Sequence, residues 1–150
     1  MSTKRPPLIY KGRSLGILSV TAAQVLIGVI HVFFGFWLIA ASGVTPLFSP
    51  TPSDYVYSVY TVVFGFLTLV FSFGLWRLKN WGWIGTIAVA LFVTVADALT
   101  LLDLPSVPGI PKFAGAFEIT YSVVIVLYLF QSHVRVRYKL RSQPLVERSI

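Results

Sequence analysis

The sequence predicts an all-α integral membrane protein, an antiparallel bundle of four transmembrane helices with both termini in the cytoplasm. Three observations carry this expectation. Apolar residues make up 56% of the 150-residue chain and charged residues only 11%, against about 25% charged in an average soluble domain. Four apolar segments reach the roughly 20 residues that a helix needs to cross a hydrocarbon core about 30 Å thick. Eleven of the twelve basic residues fall on one side of a four-helix layout, which the positive-inside rule assigns to the cytoplasm. The whole of residues 1–150 reads as a single membrane domain.

The first span runs from about Leu15 to Ala41. It is roughly twice the length of a secretory h-region, so it is expected to stay in the mature protein. The second runs from about 55 to 76, preceded by the start signal Thr51-Pro52-Ser53-Asp54. Thr51 suits a cap, Pro52 the first helical position, and Asp54 a charge that complements the helix dipole. The third span covers about 81–102 and the fourth about 112–131, followed by a basic tail over 133–150.

All nine prolines lie outside these spans, so the helices are expected to be unbroken. The helices broken at the midplane that many transporters use for substrate have no counterpart here. Small and polar residues recur at intervals of three and four. Thr21, Gln24, Gly28, His31 and Gly35 form such a seam on the first span, and Ser58, Thr61, Gly65, Thr68 and Ser72 form one on the second. Thr86, Ala90, Val93, Asp97 and Thr100 mark the third, and Gly115, Glu118, Ser122 and Ile125 the fourth. Seams of this kind allow close backbone approach and interhelical hydrogen bonds in lipid, with left-handed crossings.

The basic residues sort by side. Lys4, Arg5, Lys11 and Arg13 precede the first span, Arg77 and Lys79 sit in the turn between the second and third, and Arg135, Arg137, Lys139, Arg141 and Arg148 follow the fourth. Lys112 alone faces the other way. The net charge of +7 is thus a topology signal and not a nucleic-acid footprint. Arg135, Arg137, Lys139 and Arg141 are candidates for contact with lipid headgroups or a partner. They alternate with Val134, Val136, Tyr138 and Leu140, a period of two that suggests an extended segment. Trp76, Trp81 and Trp83 bracket the basic turn as expected interfacial anchors.

Folding the last two spans about the loop between Val107 and Pro108 sets Asp103 opposite Lys112, an outer ion pair, and Asp97 opposite Glu118. His31 is expected about one turn deeper on the first helix. Ionisable groups inside a membrane are functional candidates by default, so Asp97, Glu118 and His31 form the candidate intramembrane polar cluster. The structural alternative has Asp97 bonded to Thr94 or Thr100, Glu118 reaching the headgroups and His31 simply bridging helices.

Other chemistries find little support. The chain has no cysteine, which excludes disulfides, thiolate catalysis and Cys-ligated metals. His31 and His133 lie at different depths, unsuited to paired axial ligation of haem. No catalytic residue set, metal site or cofactor is expected, and an enzyme is the less favoured class. One Met, one Asn and three Gln hint at a thermophilic source.

The stretches GLWRLKNWGW and VVIVLYLFQSHVRVRY resemble small prokaryotic four-helix membrane proteins of unknown function. Gly74, Leu75, Trp76, Arg77, Trp81 and Trp83 match the Gly-Leu-Trp turn of that group; Tyr128, Leu129 and 134–138 match its closing segment. Glu118 has a counterpart as well. The resemblance implies the cytoplasmic membrane of a prokaryote and brings no mechanism with it. In size the chain is similar to small multidrug exporters, but its first span lacks their glutamate.

Two functions are expected from these readings. The first is a non-catalytic subunit or scaffold of a larger prokaryotic membrane complex, of respiratory type, in contact with lipids and other membrane subunits. The second is a small proton- or ion-coupled transporter or sensor, a homo-oligomer built around Asp97, Glu118 and His31.

Overall fold

The computed structural model describes residues 9–10, 13–44 and 52–142, with side chains described over 15–41 and 52–138. Five helices dominate: α1 (Leu15–Val44), α2 (Pro52–Trp76), α3 (Asn80–Leu101), α4 (Lys112–Leu129) and α5 (Ser132–Ser142). A two-residue ladder, Ile9–Tyr10 against Arg13–Ser14, precedes α1. The first four helices are each long and apolar enough to cross a membrane, as expected for a multi-pass membrane protein. Pro52 opens α2 and Asp54 lies in its first turn, where a carboxylate meets the positive end of the dipole. Thr51, its expected cap, lies outside the described residues.

The seams face inward. Thr21, Gln24 and Gly28 on α1 are buried, as are all five seam residues of α2, and Thr86, Ala90, Val93 and Asp97 on α3. Large side chains such as Phe33, Phe66, Phe92 and Phe117 point outward, the reverse of a soluble protein, because the surrounding medium is itself apolar. Glycine permits the closest approaches. A Cβ on Gly65 would stand 2.7 Å from the Val32 nitrogen and 2.8 Å from the Gly28 oxygen, so α1 and α2 touch backbone to backbone. Gly74 and Gly82 do the same for α2 and α3.

Two helix ends close without glycine. Leu78 takes φ 52° and Asp103 φ 58°, a left-handed conformation costing roughly 1–2 kcal/mol outside glycine. Each is locked by a Schellman pair of bonds: Lys79 N to Gly74 O at 2.9 Å after α2, and Leu104 N to Leu99 O at 2.9 Å after α3. Leu78 is also buried, and that apolar burial offsets its strain.

The apolar core lies at the α5 end of the molecule. Ile17, Leu75, Leu78, Ile87, Ile125 and Leu129 pack there with Val134 and Tyr138 of α5. The tail is therefore a helix where an extended segment was expected. Positions 134 and 138 are four apart, so the same alternation that reads as period two also puts both on one helix face. Val134 and Tyr138 are buried, Arg135 and Val136 are exposed, and Arg137 is intermediate. The side chains of Lys139 and Arg141, and residues 143–150, lie outside the described residues.

Trp76 and Trp81 are exposed beside the α2–α3 turn. Trp83 is partly buried. Its indole N–H donates to the Leu129 carbonyl at 3.1 Å, and its ring packs on Phe130 at 5.9 Å between centroids. The partner is a carbonyl in the last turn of α4, which has no acceptor role left inside its own helix.

Candidate functional site

The ionisable side chains of the spans, His31, Asp97 and Glu118, lie in the half of the bundle away from α5, on the side of the loop joining α3 to α4. Ser106 donates its hydroxyl to the Ala96 carbonyl at 2.6 Å. Gly109, at φ 90°, lies so close to α2 that a Cβ there would come within 2.9 Å of the Tyr57 Cβ. Ile110 is buried beneath this loop. Lys112 Nζ is 2.7 Å from the Asp103 carboxylate, and both side chains are mostly exposed, so the pair contributes little to stability.

Below the loop, a polar contact links α1 and α4. His31 Nε2 lies 3.2 Å from Glu118 Oε1. His31 is therefore level with Glu118, where one turn deeper was expected. The other ring nitrogen, Nδ1, is 2.8 Å from the Ile27 carbonyl. A carbonyl can only accept, so Nδ1 carries a proton, and the Nε2–Oε1 contact holds one more. That proton resides on either partner without changing the net charge of the pair. The imidazole rests edge-on against Phe64, 4.8 Å between centroids. Beside it α1 and α4 enclose a cleft of about 230 Å³, lined by Ile30, Phe113 and Phe117 as well as His31 and Glu118.

Asp97 is 0% exposed. Glu118, expected at its height, lies near enough to act on it electrostatically, as does His31; the residue of α4 packed against it is Gly115, where an added Cβ would lie 3.3 Å from the Asp97 Cβ. Folding the sequence about the loop midpoint estimates height alone. Gly115 and Glu118 are three residues apart on one face of α4, and Asp97 packs against the one that has no side chain. Thr94 and Thr100 are not its partners either: each hydroxyl donates to the carbonyl four residues back, Ala90 and Ala96. Both carboxylate oxygens of Asp97 are buried without a hydrogen-bond partner among the described residues. A group in that position requires a proton, a water or a cation to be tolerated.

Two aromatic residues escaped the sequence reading. The hydroxyls of Tyr60 and Tyr121 are likewise buried without a partner among the described residues, and Tyr121 lines the cleft beside His31 and Glu118. In an apolar span a tyrosine looks like packing material; only its neighbours show whether its hydroxyl faces lipid or interior. Among the described residues no three His, Asp or Glu side chains are grouped so as to hold a metal ion.

No family model, curated protein or solved structure matches the chain.

Proposed function

We propose that this chain is a small proton-exchanging membrane protein whose working groups are Asp97, Glu118 and His31. The observation that carries the reading is Asp97: a carboxylate wholly buried between two apolar helices, with neither oxygen satisfied by a described side chain. A merely structural carboxylate is held by donors; one kept without them is available to take up and release a proton. The His31–Glu118 contact supports the same reading, since it already shares one proton between two groups. Proton exchange ranks ahead of metal-ion transport because no group of three His, Asp or Glu side chains able to hold a metal ion stands among the described residues.

The finer topology belongs to this proposal. The opposed numbering of the α1–α2 contacts, Gly28 with Gly65 and Gly35 with Val62, supports antiparallel neighbours. The basic residues at Arg77, Lys79, Arg135 and Arg137 support a cytoplasmic α5 end in a prokaryotic cell membrane.

The test is proton flux into proteoliposomes that contain a trapped pH dye, driven by an imposed membrane potential. Wild-type protein is expected to acidify or alkalinise the lumen faster than empty vesicles, and Asp97→Asn to abolish the difference. Equal flux in protein-free and wild-type vesicles sinks the proposal.

A second reading, a subunit of a larger membrane complex, draws on the outer face of α1, where Leu26, Phe33 and Trp37 stand exposed. Aromatic side chains are frequent anchors at protein interfaces. Purification from native membranes in mild detergent distinguishes the two. Larger membrane proteins recovered at fixed stoichiometry support the subunit, and a homo-oligomer alone supports the transporter or sensor.

A further inference from the structure

Each of the four spanning helices contributes a polar side chain to one small chamber deep in the bundle. Gln24 of α1, Thr68 of α2, Thr86 of α3, and Tyr121 with Ser122 of α4 line a space of about 20 Å³. Thr68 and Thr86 are 5% and 2% exposed. The hydroxyls of Thr68, Thr86 and Tyr121 are buried and make no hydrogen bond to any described residue. Three buried, unpartnered hydroxyls on residues that line one space are a costly arrangement for a bundle in lipid.

We propose that this chamber is the binding site of a single water molecule that bridges Thr68, Thr86 and Tyr121, and so ties α2, α3 and α4 together. A buried water needs roughly 10–15 Å³ of such space and two to four polar partners; the chamber supplies both. A dry cavity is expected where the lining is wholly apolar; here Phe64, Val89, Ala90 and Ile125 share the lining with the hydroxyl and amide residues. The choice of water over a cation follows from charge. Every oxygen in the set is neutral, and an ion there would be buried without a counter-charge. Gln24 Oε1 lies 3.3 Å from Ser72 Oγ, whose single proton has its shorter bond to the Thr68 carbonyl at 2.6 Å.

The site owes nothing to the proposed proton exchange, although Tyr121 borders both the chamber and the His31–Glu118 cleft. A bound water therefore sits directly behind one wall of that cleft. The chamber also explains why hydroxyl residues recur at these particular seam positions. A packed apolar residue at 68 or 86 would fill the space, and the three helices would lose their common partner.

The test is a crystal structure of the full-length protein, grown in lipidic mesophase, at a resolution that reveals ordered water. Crystals are prepared in parallel with sodium and with rubidium. One density peak within hydrogen-bond reach of all three hydroxyls, without a rubidium anomalous signal, is the expected result. A chamber without density, or an anomalous peak in it, overturns the assignment. Thr86→Val provides an independent measure, because it keeps the shape and removes the hydroxyl. If the water bridges, the thermal midpoint in detergent falls by roughly 2–5 °C. A midpoint unchanged or raised indicates a dry chamber and refutes the proposal.

Discussion

Gly82→Ala measures how tightly α2 and α3 are joined. The added Cβ would run into the Gly74 carbonyl carbon and lie 2.5 Å from the Leu75 nitrogen. Ordinary contact between such atoms begins near 3.5 Å, so the backbones must separate by about 1 Å. Both neighbours are main chain and cannot rotate away. Overpacking of this kind costs about 1–3 kcal/mol, and the gain in helix propensity, at most about 1 kcal/mol, is reduced at a helix start. The expected net loss is about 2 kcal/mol. Gly115→Ala is the matched control: its Cβ would meet the Asp97 Cβ at 3.3 Å, a contact that a backbone shift of a few tenths of an ångström relieves. That variant is expected within about 0.5 kcal/mol of wild type, or slightly more stable. Reversible unfolding in mixed micelles by a denaturing detergent, followed by circular dichroism, measures both. Equal midpoints for Gly82→Ala and Gly115→Ala would refute the claim that glycine at 82 serves close helix approach.

Further predictions concern the α5 end and the outer loop. Tyr138→Ala should release α5 and cost about 3 kcal/mol, read as increased proteolysis after Gln131, while Arg135→Ala leaves the pattern unchanged. Burial holds the Tyr138 phenol above its ordinary value, with Tyr128 adding to the effect. The undocked helix therefore loses that proton first, above about pH 10, and docking should weaken as pH rises further; Tyr138→Phe should remove that part of the alkaline sensitivity. Trp83→Phe deletes the bond to the Leu129 carbonyl and should lower stability by about 1 kcal/mol in the same unfolding assay. Lys112→Ala should change it by less than about 0.5 kcal/mol, because the Asp103 pair is exposed to water.

Length and hydropathy along the chain determined the four spans, to within three residues at most ends. A helix in lipid must satisfy its own backbone, so a long apolar run has few structures open to it. The seams were legible for a related reason. Small and hydroxyl residues spaced by three and four lie on one face of a helix whatever it packs against, and in this bundle that face is the buried one.

What only the tertiary structure decided is which groups meet. Sequence spacing gives a residue its height and its side of its own helix, but not the rotation of that helix against its neighbours. That rotation sets His31 against Glu118, turns Asp97 to the bare surface of Gly115, and brings Thr68, Thr86 and Tyr121 to one chamber. It also decided α5. An alternation of apolar and basic residues suits a strand or a helix equally, and the receiving surface formed by Leu75, Ile125 and Leu129 selects the helix by burying Val134 and Tyr138 together.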